Sequence, residues 1–573
     1  MPRNLLINDS TWKAGATKYL LGFILLATLF LGFGPISIEA KKAYFQTYSF
    51  SLVFISVVIW IWALLPRSLS KQNILPHIPA FLIAFFLIAA LSLLSPTNLR
   101  VLYDETNLLG VSQAMFEHRT FYIPTQALFH NQNTYIINYE WGVRPLVFPF
   151  FLYLIHLVNG YAVTNVYLLN AGAGLASLFF FYLLLQRFFS KTIAIFGMAL
   201  LSAYPIFALR TTSGGYEIVN LGFAIFAFYQ CHHAITSEKR HHTTRLIFTL
   251  VLLAQIRYES VLFLCALGPF MIWNCIQHRH SRPNNITLLV PILLLPIAWQ
   301  RILYSGDDAF MVRENSSMFG VSHFLTNLEH AFDFFSGTQS AYGTIPIILY
   351  LAILGLFTGL THFVRRWKRI PYATRVMLLS AGPTFTLLAT VTLGYILGDM
   401  TRPIGLRWGI IFLPFLIVPI VYLGHLVAAS NPRFLIPLGL ATAIVILFGW
   451  SGSFQNASVH GLRLNQINQA YMDFFRERDP QKRALIVSPF SRLFVPDQRS
   501  AVTFEYANQN WQEIMGHLQN GLVEKIFICQ IADAQNQALR DDTRLTHGAS
   551  LETLGELQIG SELFGISKIS LPK

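Results

Sequence analysis

Asp104 and Glu105 stand side by side in "VLYDETNLLGVSQAMFEHRTFYIP", a few residues after one hydrophobic run and at the head of an amphipathic helical pattern. A third acid, Glu217, follows the Ser-Gly-Gly connection of "RTTSGGYEIVN" and opens another apolar run, while Glu140 and Arg144 lie in "NYEWGVRPL". Glycines in such a connection allow a sharp turn and a close approach. A carboxylate at a fixed place can take a proton from a substrate or pair with a cation, and ionisable groups at membrane boundaries commonly mark a polar site. Each acid also has an ordinary reading. Asp104 can cap the helix and Glu105 can answer its dipole, and acids at span ends are often merely solvated. For Asp104 the two readings are compatible, because a cap also holds its carboxylate at a fixed angle. Successive helical side chains point about 100° apart, so Asp104 and Glu105 do not readily address one atom.

The elements that position these groups follow from composition. Of 573 residues, 54% are hydrophobic and only 12% charged, with a mean hydropathy of +0.49, values that indicate a polytopic membrane protein. A span needs about 20 apolar residues, and about thirteen runs, some of them short, approach that length. They lie near 17–36, 50–66, 77–95, 161–186, 192–209, 217–236, 247–256, 259–276, 286–304, 345–364, 377–397, 408–428 and 433–450. The first is longer than the usual signal core of about 7–15 residues, lacks a convincing cleavage site, and reads as a retained helix. The basic connections "RSLSK", "RFFSK", "SEKRHHTTR", "HRHSRP" and "RRWKRIPYATR" all fall on one side of these spans. Short cytoplasmic loops hold the excess of lysine and arginine, so the amino terminus is expected inside and the carboxyl-terminal region outside. The net charge of +13 is then topology and lipid contact rather than a nucleic-acid surface, since no basic, aromatic-rich soluble domain is visible.

After Trp450 the composition changes. A helix over 462–478, a strand "ALIVS", a helix "NWQEIMGHLQ" and a strand "EKIFICQIA" alternate, which predicts a small extracytoplasmic α/β domain. The expected organisation is an amino-terminal pair of helices over 1–76, a membrane module over 77–450 with its first outer loop at 100–160, and the α/β domain over 451–573. Within that loop the apolar piece 146–158 is too short to span and predicts a second helix lying at the interface. Four cysteines, three of them in or beside apolar runs, imply no disulfide framework.

The order of these features resembles the C-type (GT-C), lipid-donor glycosyltransferases, relatives of protein O-mannosyltransferases and of the aminoarabinose transferases of lipid A. In that family an Asp-Glu pair leads a helix after the first core span, as "YDETNLLGVSQAMFEHRTFYIP" does. A basic-proline segment then precedes a juxtamembrane helix, matched by "EWGVRPLVFPFFLYLIHLVNGY"; an acid follows in the second outer loop, here Glu217; and an arginine-aromatic pair opens a late span, here "LRWGIIFLPFLIVP". The resemblance covers roughly residues 77–450, a core of spans each about 20 residues long. Glu217 stands where many relatives have Asp, and Arg144 where some have Lys.

The resemblance implies an inverting transfer of a sugar from a polyprenyl-phosphate-linked donor to a hydroxyl of a glycan, lipid or protein, at the outer face of what is expected to be a bacterial inner membrane. Such a transfer passes through an oxocarbenium-like state in which the acceptor hydroxyl loses its proton. A carboxylate with an ordinary pKa of about 3.9 suffices, because the hydroxyl acidifies as it bonds to carbon. Asp104 is the expected base. Glu105 is expected to hold the helix or a substrate hydroxyl, and Glu217 to share the catalytic site. The leaving phosphate calls for guanidinium groups, and Arg402, Arg407 and Arg257 are the candidates. Snorkelling to lipid headgroups is the alternative for the first two, and a hairpin turn for Arg257. Glu140, Arg144 and Tyr103 are expected to contact substrate.

Some members of the family use a divalent ion, usually held by an Asp-x-Asp motif. Asp307 and Asp308 in "GDDAF" are adjacent instead, and His232, His233, His241 and His242 lie on the inner side. No obligatory cofactor or metal is therefore expected, with a divalent cation as the alternative. Two other classes compete: a transporter or flippase of lipid-linked saccharides, and an O-antigen polymerase or ligase. The first would place polar groups near the midplane with repeat symmetry between its halves, whereas here they gather at outer span ends. The second usually depends on arginines and a histidine in a large late loop, whereas here the early acidic loop is the stronger feature.

Overall fold

The computed structural model describes residues 23–65, 75–100, 102–130, 133–142, 144–237, 239–277, 283–303, 317–337, 346–457, 463–535, 537–559 and 561–570. Asp307 and Asp308 lie outside them. Eight described helices are long and apolar enough to cross a membrane, or nine if one bent pair counts as a single span. The protein is a polytopic, mostly helical membrane protein. The other expected spans correspond to shorter described helices, at Phe23–Phe33, Arg240–Ala254 and Asn285–Gln300, and to the helix Leu435–Ala457.

The elements that carry the site are few. Helix α1 (Leu102–His118) is followed by a hairpin, β1 (Tyr122–His130) and β2 (Asn133–Trp141), and then by α2 (Val147–Asn159). Helix α3 (Asn165–Leu185) leads to α4 (Lys191–Ala203) and the short α5 (Pro205–Thr211), and α6 is Glu217–Thr236. Between α4 and α5 the chain bends by 72°. Tyr204, forced out of the helical region by the following proline, is extended at φ −68° and ψ 127°. The bend lets α5 deliver the turn at 212–216 to the head of α1.

Helix α1 is buried on both its apolar and its polar side. Its apolar residues Leu108, Leu109, Val111 and Met115 are buried, and so are Glu105, Thr106, Ser112 and Gln113 on its polar side. Ser112 bonds His156 of α2 at 3.2 Å, and Gln113 donates to Glu117 at 3.1 Å. The expected stretch 146–158 is helical, as α2, thirteen residues long.

The carboxyl-terminal region opens with α7 (Arg463–Arg478), followed by β3 (Ala484–Val487), β4 (Ser500–Val502), β5 (Lys525–Asp533), β6 (Ser550–Ile559) and β7 (Glu562–Ser570). The described strands form one seven-stranded sheet in the order β2-β1-β4-β3-β5-β7-β6, with β3 parallel to both β4 and β5. Alternation puts Ala484 and Ile486 with Ile467, Tyr471 and Phe475 on one face, and Leu485 and Val487 with Val502, Phe504 and Ile514 on the other. Two of the seven strands thus come from the loop at 100–160. Ala127 of β1 pairs with Ala501 of β4, and Ser500 Oγ accepts from the Phe129 N–H at 2.9 Å. The sheet therefore sits against the end of the helical bundle that holds Asp104.

Candidate active site

Asp104 and Glu105 both fall in the first turn of α1, yet their side chains go to different partners. Arg144 donates to Oδ1 of Asp104 and Arg407 donates to Oδ2, so both carboxylate oxygens are taken by guanidinium groups. Burial alone would push the Asp104 carboxyl up, but the Arg407 and Arg144 guanidiniums outweigh it and hold the group well below the usual carboxylate range. For Arg144, burial works against the charge and Asp104 more than offsets it, so its pKa is raised. Glu105 Oε2 accepts from the backbone N–H of Arg100, just ahead of the helix, at 2.6 Å.

Glu105 is 1% exposed. Burial raises its pKa more than Arg210, 3.9 Å from Oε1, lowers it, and Glu217 adds to the rise, which brings the group to about 7. The glycine connection makes this close approach. A Cβ on Gly214 would lie 3.1 Å from Glu105 Oε2, and one on Gly215 would lie 3.3 Å from Glu105 Oε1 and run into Glu217 Oε2. Asn170 of α3, fully buried, fixes the turn by donating to the carbonyls of Ser213 and Gly215 at 2.6 and 2.7 Å.

Glu217 Oε1 lies 3.9 Å from Arg407 Nη1 and 3.9 Å from Arg257 Nη1. Arg257 is in turn paired with Glu259 and stacked between Tyr216 and Trp408, 4.9 Å from each ring centre. Beside it is a small cavity lined by Asn220, Glu259, Ser260, Trp408 and Ile411. Asp104, Arg144, Arg407, Glu217 and Arg257 thus form one chain of charges. Three of its buried polar atoms, Nε of Arg144 and of Arg407 and Oε2 of Glu217, have no hydrogen-bond partner, nor has Nε1 of the adjoining Trp408.

Arg402 does not join this chain in the described contacts. Its side chain is 79% exposed, and its Nε pairs with Asp399 at 2.9 Å. Glu140 pairs with Arg492 of the sheet region, whose guanidinium also lies over the Tyr103 ring, 5.5 Å from its centre. Tyr103 is 43% exposed, so it stands at the rim beside Asp104.

Sequence reasoning missed Arg210, Asn170, Gln300 and Arg492. Arg210 had a signal, since it heads the "RTTSGG" connection to Glu217. Gln300 donates to the carbonyls of Gly142 and Arg144, at 3.2 and 2.7 Å, and so holds the segment that presents Arg144. Nothing in the local pattern marks it. Among the described residues no three His, Cys, Asp or Glu side chains are grouped to hold a metal ion.

Residues 143–300 match the family model of Dolichyl-phosphate-mannose-protein mannosyltransferase, a stretch that holds Arg144, Glu217 and Arg257. This match bears out the resemblance to the C-type polytopic glycosyltransferases. No curated protein matches the chain. Among solved structures the chain is similar to the oligosaccharyltransferase of Archaeoglobus fulgidus in complex with zinc and sulfate, with 13% identity, 80% of this chain and 68% of that one covered, and a TM-score of 0.47. It is also similar to ArnT from Cupriavidus metallidurans bound to undecaprenyl phosphate, with 12% identity, 87% and 98% covered, and a TM-score of 0.48.

Proposed function

We propose that the protein is an inverting membrane glycosyltransferase. It moves a sugar from a polyprenyl-phosphate-linked donor to a hydroxyl of a glycan, lipid or protein acceptor, with Asp104 as the general base. The observation that carries this reading is the Asp104 carboxylate bridging Arg144 and Arg407. Held this way, Asp104 is a poor base. A donor phosphate competes for the same guanidinium groups, which bind phosphate through paired, charge-assisted hydrogen bonds. As they turn to the donor, the carboxylate loses its cations while it stays buried, and its proton affinity rises. Donor binding and release of the base are then one event.

In the transfer, the acceptor oxygen bonds to the anomeric carbon from the face opposite the phosphate. Its proton passes to Asp104 while the anomeric carbon–oxygen bond breaks and the electron pair leaves with the polyprenyl phosphate. Arg407 and Arg257 balance the departing charge, and Glu217, within 3.9 Å of both, keeps them in place. Arg402, exposed at the rim, meets the lipid headgroup region. The family match over residues 143–300 supports a lipid-phosphate sugar as donor. The basic short connections support an extracytoplasmic site and an amino terminus inside, in a bacterial inner membrane. Residues 77–450 would be the catalytic module, 1–76 an addition to it, and 451–573 the outer domain. The transfer as drawn uses no metal ion.

The test compares cells lacking the protein with cells carrying wild-type, Asp104→Asn or Asp104→Glu chains, followed by extraction of lipid-linked sugars and glycans. Asp104→Asn should lower transfer about 10²–10⁴-fold, the usual worth of a general base, with the donor accumulating. Full transfer by that variant removes Asp104 from the role. A changed sidedness of the lipid-linked sugar with no lost linkage would replace the enzyme by a transporter.

A further inference from the structure

We propose that Arg492, supplied by the carboxyl-terminal sheet, completes a saccharide-acceptor subsite with Tyr103 and Glu140 beside Asp104. The inference rests on the transfer reading above and names the class of its acceptor. Arg492 sits on the segment that leaves the carboxyl end of β3. That strand has β4 on one side and β5 on the other, and the chain goes to one and then to the other. From there the segment runs to the β1–β2 side of the sheet, at the head of α1.

The segment is anchored on both sides of Arg492. Ser491 Oγ donates to the Thr125 carbonyl of β1 at 2.9 Å, and the Tyr161 hydroxyl donates to the Pro496 carbonyl at 2.8 Å. Asn465 of α7 donates to the Arg100 carbonyl, ahead of α1, at 2.7 Å. The guanidinium is thus set over Tyr103, the residue that precedes Asp104, and is paired with Glu140. An aromatic ring with open surface, flanked by a guanidinium and a carboxylate, suits a sugar. The ring meets the apolar C–H face of a pyranose, and the charged pair offers donors and acceptors to neighbouring hydroxyls. An acyl chain gains nothing from the charged pair. A peptide would instead use the free edge of β2.

The full-length protein in lipid nanodiscs, applied to arrays of defined mono- to tetrasaccharides and of Ser/Thr-containing peptides, tests the assignment. The wild-type chain should retain saccharides and not peptides. Arg492→Ala and Tyr103→Leu should each weaken retention about tenfold or more, the worth of a hydrogen bond to a charged group, and Arg492→Lys should fall between. Thermal unfolding identifies any variant that fails to fold, and the other then carries the test. Unchanged retention in the folded variants, retention of peptides in place of saccharides, or a wild-type chain that retains no saccharide would each overturn the subsite. Wild-type transfer by Asp104→Asn would instead sink the base and leave the retention result standing.

Discussion

Arg407 donates to Oδ2 of Asp104 across 303 residues of chain, and Arg144 holds the other oxygen of the same carboxylate. This buried contact ties the head of α1 to the apolar helical stretch Ile404–Ser430. Its energetics differ from those of an exposed ion pair, because neither partner can return to water when the other is removed.

Arg407→Met should therefore destabilise the protein by about 1–3 kcal/mol, because Asp104 loses the donor to Oδ2 while Arg144 still holds Oδ1. The triple variant Arg407→Met/Arg144→Met/Asp104→Asn, which leaves none of the three charges behind, should recover that loss while transfer stays abolished. Thermal unfolding in detergent, read beside a transfer assay, separates the two effects. A triple variant no more stable than Arg407→Met would show that the three charges are not one coupled unit.

Glu105 should give the protein a pH-dependent stability. Its pKa in the folded chain, about 7, is raised above the ordinary 4.5. The stability linked to its proton is fully present below about 4.5 and is lost as pH rises through about 7, a change of about 3 kcal/mol. Asp104 is shifted the other way, so its contribution holds above its ordinary value of 3.8 and is lost only in strong acid. Unfolding temperatures at pH 5, 6, 7 and 8 should fall more steeply for the wild type than for Glu105→Gln. Parallel curves would mean that Glu105 does not titrate in this window.

At Gly215 a side chain has no room, because a Cβ would meet the carboxylates of Glu217 and Glu105. Gly215→Ala should cost about 1–3 kcal/mol and displace Glu217 from Arg257 and Arg407, with transfer falling about tenfold or more. Gly172, a helical glycine with nothing within 4 Å of its Cβ position, is the control. There alanine should stabilise by about 0.4–1 kcal/mol. Equal behaviour of the two variants would refute the steric argument.

Asn170 holds the same turn from the opposite side. Asn170→Leu leaves the Ser213 and Gly215 carbonyls without their donor in a buried place, at about 1–3 kcal/mol for an unmet group. Transfer should drop with stability. Asn170→Asp, which accepts where donation is needed, should be at least as damaging. An active, stable Asn170→Leu protein would show that the turn is held by other contacts.

Much of the membrane architecture was legible because a span is a local property: about 20 apolar residues must appear in succession whatever they pack against. The same holds for α2 and for β3 and β5, whose periodicities announce them. Asp104, Glu105 and Glu217 could be singled out because charge at the end of an apolar run is costly enough to be conspicuous. The hairpin of β1 and β2 was not legible. Its alternation in "YIPTQALFH" and "NTYIINYEW" is a strand signal, but its partner strand β4 lies more than 300 positions away in sequence. Sequence likewise could name Asp104 and Arg407 but could not join them, nor place Glu105 rather than Asp104 on the backbone N–H of Arg100. Those outcomes depend on the bend at Pro205, the Gly214–Gly215 turn and the sheet packed over α1. Such contacts are set by which distant surfaces exclude water together, a property of the folded chain rather than of any window along it.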